Sequence, residues 1–213
     1  MAVIVKTMVV GPLEENCYIV YEENGAGKCF LVDPGASGNM ILRELEALHL
    51  VPEAILLTHG HFDHIMAVEW IRKTYPDLPV YALDREREVL SDPEKSMLRA
   101  FGGRFDVENI RFVSDKTELF PAGIPVTYLA TPGHTAGSAC IYLADSSILF
   151  SGDTLFLESA GRTDFPTGDT RALSDSIRNR LMALPDGTEV YPGHGDGTTI
   201  GHERKYNYMV VIG

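Results

Sequence analysis

The sequence contains no long apolar run, no pattern typical of a signal peptide in its first ten residues and no excess of positive charge. No stretch approaches the roughly 18 consecutive apolar residues of a membrane-spanning helix, and residues 1–10 lack the small-residue cleavage site of a signal peptide. Lysine and arginine number 18 against 30 acidic residues, so the formal net charge is -12 at pH 7. An acidic surface repels nucleic-acid backbones and anionic membranes. We therefore expect no nucleic acid and no membrane as partner, and a cytoplasmic location.

Cysteine is scarce as well. The three cysteines are an odd number and lack the spacing of metal ligands. Cys17, Cys29 and Cys140 each lie in an apolar run typical of a strand, which predicts buried thiols in a reducing compartment.

Short apolar runs alternate with amphipathic segments along the chain. The runs predict strands at 3–9, 17–21, 29–32, 54–57, 80–82, 126–129, 139–143, 147–150 and 189–191. The amphipathic segments predict helices that begin at 37 or 39, span 65–74 with Trp70 and Ile71 facing inward, include 173–181, and span 199–209. This order indicates one α/β domain over residues 1–213, with two mixed sheets packed face to face and helices on both outer faces.

Five of the seven histidines belong to one pattern of polar residues at strand ends. Four candidate ligands follow the apolar run 54–57 within six positions, two more each end a Pro-Gly-His turn, and an aspartate follows the run 147–150. Imidazole and carboxylate groups suit zinc, iron or manganese. The seven candidate ligands, about right for two ions, are His59, His61, Asp63, His64, His134, Asp153 and His194.

The pattern divides into two equal sets. We expect one ion on His59, His61 and His134 and a second ion on the other three ligands, with Asp153 bridging both. A metal ion lowers the pKa of bound water to about 7, so such a site would supply hydroxide at neutral pH. The other two histidines, at 49 and 202, are not expected to be ligands.

Four strings in this order resemble the metallo-β-lactamase superfamily, in particular its glyoxalase II-like hydrolases. They are T-H-G-H-F-D-H at 58–64, T-P-G-H-T at 131–135, S-G-D-T at 151–154 and P-G-H-G at 192–195. The resemblance extends from Gly11 to about Tyr206 and implies an αββα four-layer sandwich with two divalent ions, zinc first and iron or manganese as alternatives. V-D-P-G at 32–35 matches an early motif of the superfamily, in which Asp33 supports the metal site from behind the ligands.

The variants within the strings favour one branch of the superfamily. His64 and Asp153 disfavour the β-lactamases proper, and His61 disfavours the flavodiiron proteins. The acidic single domain disfavours the nucleic-acid-processing branch. What remains is the thioesterase branch, which implies hydrolysis of acyl thioesters such as S-lactoylglutathione, with Asp63 as the proton acceptor.

The segment that follows Asp153 resembles the stretch that binds substrate in glyoxalase II-like enzymes. It places Arg162 at the mouth of the site, where a guanidinium can pair with a substrate carboxylate. The alternative is a structural arginine held by Asp164 or Asp169.

The chain resembles the short, single-domain bacterial form, without the C-terminal helical domain of full-length glyoxalase II. The charged residues 83–106, broken by Pro93 and with Gly102 and Gly103 near their end, predict two short helices and motivate the hypothesis of a lid. Two other functions stay open. One is a persulfide dioxygenase with a single iron on His59, His134 and Asp153, and the other is a non-enzymatic metal-binding domain.

Overall fold

The computed structural model describes residues 2–103, 105–106 and 108–211, which form two sheets with helices on both sides. The N-terminal sheet has six strands in sequence order: β1 (Val3–Val10), β2 (Glu15–Glu22), β3 (Lys28–Val32), β4 (Val51–Leu56), β5 (Val80–Leu83) and β6 (Ile110–Val113). The first three strands are antiparallel, and β3 to β6 are parallel. Parallel strands put their carboxyl ends at one edge, where loops carry chemistry.

The C-terminal sheet completes the sandwich. Its elements, with a small hairpin between them, are β7 (Glu118–Leu119), β8 (Val126–Ala130), β9 (Ala139–Leu143), β10 (Ile148–Gly152), the hairpin β11 (Leu155–Phe156) and β12 (Ser159–Ala160), β13 (Glu189–Pro192) and β14 (Thr198–Thr199). The strand order in the sheet is β14-β13-β10-β9-β8-β7, with β10 and β13 parallel and the other pairs antiparallel.

The helices cover both outer faces. They are α1 (Gly38–Ala47), α2 (Phe62–Ile65), α3 (Val68–Thr74), α4 (Arg87–Ser91), α5 (Leu98–Phe101), α6 (Thr170–Asp175), α7 (Ile200–Tyr206) and α8 (Tyr208–Val211). After α6 the chain continues through a π-helical turn, Ser176–Arg180, and a 3-10 turn, Leu181–Ala183. No helix in the described ranges combines the length and the apolar character needed to cross a membrane.

Three apolar clusters separate the four layers. The middle cluster, with Phe30, Tyr128 and Phe150, lies between the two sheets. A second cluster packs α1 and α3 on the N-terminal sheet, and a third packs α6 and α7 on the C-terminal sheet. In α1 the buried side chains Ile41 and Leu45 are four positions apart and share one face, as helical periodicity requires. The predicted αββα sandwich is confirmed.

Two predicted helices are wrong in their bounds. The helix expected over 65–74 is two helices, because the Ala67 amide donates to the carbonyl of Pro34 and so ties the chain to the loop after β3. The helix expected over 199–209 breaks at Asn207, an extended residue whose side chain donates to the Ser159 carbonyl.

Trp70 was predicted to face inward, and this is also wrong. Its side chain is 45% exposed, and it packs on Gly38 while Lys73 lies over the ring. Val68 and Ile71 take the inward positions of α3. The short strands β6, β7, β11, β12 and β14 were not predicted.

The segment 83–106 contains the two short helices expected, α4 and α5, and both are packed on the protein. Leu90 and Leu98 are buried in the cluster under the N-terminal sheet's helices, and Phe101 stacks on Phe62 with ring centroids 3.7 Å apart. Phe62 directly follows His61, so this segment touches the loop that carries the predicted ligands. Whether it moves as a lid stays a prediction.

The three cysteines are buried and free, as expected. Burial raises the pKa of the Cys29 thiol to about 12, which leaves it protonated and unreactive at neutral pH.

Candidate metal centre

The fold brings all seven predicted ligands to one edge of the sandwich. They come from the loop after β4 and from α2, and from the loops after β8, β10 and β13. Two groups of three that consist entirely of predicted ligands have candidate ligand atoms within 4.8 Å of one another. We name them the first triad, which is His59, His61 and His134, and the second triad, which is Asp63, His64 and His194.

Asp153 lies between the two triads and reaches both. Its Oδ1 is 3.4 Å from His64 Nε2, and its Oδ2 is 3.5 Å from His134 Nε2 and 3.8 Å from His194 Nε2. One carboxylate therefore faces ligands of both triads, which is the position that a bridging ligand requires.

The unpaired buried atoms of the site test whether it fits a cation. His59 Nε2, His61 Nε2, His64 Nε2 and Asp153 Oδ1 are all buried without a hydrogen-bond partner. Buried polar atoms left unpaired are costly and therefore rare in folded proteins. His64 Nε2 lies 3.4 Å from Asp153 Oδ1, and the His59 and His64 ring centroids are 4.1 Å apart, so divalent cations would satisfy the donors of these three residues. His61 faces the site through its Nδ1, which is 2.9 Å from His134 Nε2. The donor set fits two such ions.

In four of the candidate ligand rings, Nδ1 contacts another group of the protein. The contacts are His59 Nδ1 with Thr58 Oγ1 at 3.1 Å, His64 Nδ1 with Asp33 Oδ2 at 3.0 Å, His134 Nδ1 with the Arg162 carbonyl at 2.8 Å, and His194 Nδ1 with the Leu13 carbonyl at 3.1 Å. Such contacts orient a ligating imidazole and leave Nε2 for the metal.

Asp33 has the contacts expected of a supporting residue. Its Oδ1 accepts from the Thr58 amide at 2.8 Å, and its Oδ2 accepts from the Thr58 hydroxyl at 2.5 Å and contacts His64. A group of Asp33, His59 and His64 is also close enough to hold an ion. We favour the supporting position because both carboxylate oxygens already have partners.

Burial and charge set the protonation of the ligands. Burial lowers the pKa of His59 well below its usual value and that of His61 to about 3, so both rings are neutral. Burial acts to raise the pKa of Asp153, but His64 and other histidines lower it further, so it is a carboxylate. For His64, burial lowers the pKa, but Asp153 and Asp33 raise it well above normal. The His64 ring therefore carries a second proton when no cation is bound, and a cation beside Nε2 would displace it.

Two glycines keep the edge of the site open. A Cβ on Gly193, in the second Pro-Gly-His turn, would overlap Asp153 Oδ1. A Cβ on Gly35, in the loop after β3, would overlap the carbonyl of Asp63. The backbone approaches the ligands too closely at both points for any side chain.

Arg162 lies beside the first triad, and Asp164 holds its side chain. Its Nε and Nη2 donate to the two carboxylate oxygens of Asp164 at 2.6 and 2.5 Å, and its guanidinium lies 4.1 Å from the centroid of Phe165. Asp169, the other expected partner, instead accepts from backbone amides at the start of α6. The Phe165 ring is 5.5 Å from the His61 ring.

Three buried polar residues near the site were missed from the sequence. Glu15, Asn16 and Glu86 are 1%, 4% and 0% exposed. Glu15 and Asn16 were detectable as polar residues at the start of an otherwise apolar strand. Glu86 lies in the charged run after β5, where no sequence signal separates it from its exposed neighbours.

A family model described as the metallo-beta-lactamase superfamily matches residues 10–194. The chain belongs to the metallo-beta-lactamase superfamily. Members of this superfamily bind divalent metals, and the histidine-rich site is in accord with that.

Two bacterial relatives match nearly the whole chain. The probable metallo-hydrolase YqgX of Bacillus subtilis is 35% identical over 205 residues, which is 95% of each chain. The hydroxyacylglutathione hydrolase GloC of Haemophilus influenzae is 31% identical over 214 residues, 95% of this chain and 96% of GloC. The chain is a metallo-hydrolase of the metallo-beta-lactamase superfamily.

Solved structures share this metallo-beta-lactamase fold closely. BLEG-1 B3 metallo-beta-lactamase superposes with a TM-score of 0.90 at 36% identity over 98% of this chain and 100% of its own. TTHA1623 in a di-iron-bound form gives 0.82 at 37% identity over 95% and 98%. ETHE1 from Myxococcus xanthus gives 0.79 at 27% identity over 96% and 83%.

Proposed function

We propose that this metallo-hydrolase cleaves small acyl thioesters of the hydroxyacyl-glutathione type with two divalent ions, zinc first and iron or manganese as alternatives. The observation that carries the proposal is the pair of triads with Asp153 between them. The similarity to GloC, a hydroxyacylglutathione hydrolase, supports the thioester as substrate. The buried free thiols and the acidic composition support a cytoplasmic location.

The ions would be held by the residues of the first triad and the second triad, together with Asp153 between them. Ions bound there would lower the pKa of water to about 7 and polarise a carbonyl oxygen, which is the chemistry needed for hydrolysis. The side chains of this site would hold the ions in place, and one of them would accept the proton of the attacking water. A thiolate is a good leaving group, so the proposal requires no further strong acid.

Asp63 is the proposed proton acceptor. Its Oδ2 lies 3.3 Å from His194 Nε2 on the more open side of the centre. Burial acts to raise the pKa of Asp63, but the hydrogen bond from His194 and the charge of His64 lower it below its usual value. An ionised carboxylate at this place can accept a proton from the attacking water.

Apolar side chains on both sides of the centre would receive the substrate. Phe165 lies beside His61 in the first triad, and the Phe156 ring is 6.3 Å from the His194 ring in the second. Arg162 lies next to Phe165 and would pair with a substrate carboxylate by sharing its guanidinium with Asp164. The rim of the site thus combines apolar side chains with one positively charged guanidinium group.

The test uses purified protein loaded with zinc and two substrates. We expect hydrolysis of S-lactoylglutathione, measured as the release of free thiol. We expect metal analysis to give two ions per chain. The β-lactam nitrocefin is the counter-substrate because of the similarity to BLEG-1. A kcat/KM for nitrocefin that equals or exceeds the thioester value would overturn the proposal.

A second candidate is the persulfide dioxygenase that the motifs also allow. Two histidines and one carboxylate of the required kind lie together: His134 Nε2 is 3.5 Å from Asp153 Oδ2, and the His59 and His134 ring centroids are 4.8 Å apart. This is the ligand type of non-haem iron oxygenases. Oxygen uptake by the iron-loaded protein with glutathione persulfide, without thioester hydrolysis, would select this function.

A further inference from the structure

Two buried polar side chains outside the ligand set hold the loops that carry the ligands. Asn16 begins the apolar part of β2 in the N-terminal sheet and is 4% exposed. Glu86 ends a 3-10 turn after β5 and is fully buried. Glu86 contacts both loops of the first triad, and Asn16 contacts the turn that carries His194 of the second triad. Neither residue belongs to the candidate ligand groups.

Asn16 holds the turn of His194 from both sides. Its side-chain amide donates to the carbonyls of Pro192 at 3.0 Å and Gly195 at 2.9 Å, and its backbone amide donates to the Gly193 carbonyl at 2.8 Å. The three acceptors are the residues immediately around His194. Because the turn belongs to the C-terminal sheet, these bonds fix His194 against the opposite sheet.

A neighbouring contact repeats the same connection. Glu15 and His194 form an isolated antiparallel bridge, and the Tyr18 hydroxyl also donates to the Pro192 carbonyl at 2.5 Å. Asn16 is nevertheless distinct, since its amide group supplies both donors that flank His194. A side chain of the same shape without those donors would leave the Gly195 carbonyl without its partner, while the Pro192 carbonyl would keep only the Tyr18 hydroxyl.

Glu86 holds both loops of the first triad. Its Oε1 accepts from the Gly60 amide at 2.7 Å, between His59 and His61, and its Oε2 accepts from the Thr135 hydroxyl at 2.7 Å, next to His134. A further bond comes from the Gly137 amide. One carboxylate thus joins the two loops that supply all three ligands of the first triad.

We propose that Asn16 and Glu86 are positioning residues, Asn16 for the second triad and Glu86 for the first, and that the two ions can therefore be weakened independently. The proposal rests on the two-ion function given above. Residues that orient metal ligands typically change metal affinity by about 10–100-fold when substituted. Loss of the Asn16 amide weakens the second ion and spares the first, and loss of the Glu86 carboxylate has the opposite effect.

The chain offers a matched control for each variant. Asn16→Asp keeps the shape and removes both donors, and its control is Asn207→Asp, since Asn207 is equally buried and donates to the Ser159 carbonyl and to Glu203. Glu86→Gln removes the charge, and its control is Glu203→Gln. Glu203 is fully buried and accepts from the Glu158 amide, the Thr198 hydroxyl and Asn207.

The first readout is amide hydrogen exchange of the metal-free, full-length protein. We expect Asn16→Asp to speed exchange at least tenfold in peptides that cover 191–196 and to leave 58–64 within twofold of wild type. Glu86→Gln is expected to do the reverse, with faster exchange at 58–64 and 133–139. Both controls are expected to leave all three segments unchanged.

The second readout is stepwise titration with cobalt(II), followed by its visible absorption. We expect Asn16→Asp to weaken the second equivalent at least tenfold with the first within twofold, and Glu86→Gln to weaken the first. A wild-type chain that takes up only one cobalt would refute the two-ion function, while hydrogen exchange would still decide the positioning roles. Exchange that rises equally in all segments, or in both control variants, would overturn the inference, as would no change in either variant.

Discussion

The two triads differ in how much of each the protein covers. The three histidines of the first triad are 1%, 3% and 2% exposed, whereas in the second triad the side chains of Asp63 and His194 are 15% and 27% exposed. The first triad lies against Glu86 and the α4–α5 segment, and the second opens toward solvent beside Leu13 and Phe156. For the proposed two-ion site, we expect the ion on the covered side to be retained and the ion on the open side, the proposed entry side for water and substrate, to exchange.

The largest expected effect comes from the residue that both triads share. Asp153→Ala removes the carboxylate that faces both sides, so we expect metal content below one ion per chain and a loss in kcat/KM of roughly a thousandfold, about 4 kcal/mol. Metal analysis and thioester assay check this. Asp145→Ala, at an exposed position in the 3-10 turn between β9 and β10, is the control and should behave as wild type. Retention of two ions by Asp153→Ala would remove the bridge from the account.

Removing one histidine from each triad separates the two sides. We expect His194→Ala to keep one tightly bound ion. We expect His61→Ala to bind the ion of the first triad roughly a hundredfold more weakly, because that ion loses one of its three histidine ligands. Competition with a coloured chelator measures both affinities. Equal losses in the two variants would mean that the triads do not differ in the way that their burial indicates.

The second triad also depends on the close approach at Gly35. Gly35→Ala would push a methyl group onto the carbonyl of Asp63, so we expect a loss of about 3 kcal/mol in the free energy of unfolding together with loss of the second ion. Denaturant unfolding measures the first quantity. Gly187→Ala is the control, because a Cβ there meets nothing within 4 Å. A stable Gly35→Ala protein with two ions would contradict the packing.

The covered side predicts a pH effect from Glu86. Burial raises the pKa of Glu86 to about 7, so the folded chain keeps a proton that the unfolded chain releases near 4.5. Between these values the folded chain binds more protons, and stability falls as pH rises. We expect Glu86→Gln to lack this pH-dependent contribution, so that its stability relative to wild type rises by about 3 kcal/mol from pH 4.5 to 7.5 in metal-free protein. Parallel pH profiles for the two proteins would contradict it.

The smallest effect is expected at the rim. Arg162 is exposed and already paired with Asp164, so Arg162→Ala should raise the KM for S-lactoylglutathione about fivefold and leave kcat within twofold. Arg162→Lys is the matched variant, and it should recover part of the KM. A fall in kcat of a hundredfold would place Arg162 at the reacting atoms instead.

Local pattern predicted the candidate ligands but not the residues that hold their loops. The spacing of His59 to His64 after a buried strand, and the Pro-Gly turns, are signals within a few residues, and the structure brings all seven candidate ligands together. Glu86 and Asn16 act across 26 and 176 positions, through bonds to Gly60 and Pro192 that no local pattern encodes. The helix breaks at Ala67 and Asn207 have the same origin, since each follows from a hydrogen bond to a distant loop.

The measurement that tests the central claim most directly follows thioester hydrolysis while zinc is added to the metal-free protein. We predict little activity up to one equivalent, as the covered triad fills, and a rise to the maximum between one and two equivalents, as the open triad fills. Full activity at one equivalent would contradict the two-ion mechanism, and so would a chain that never binds the second ion.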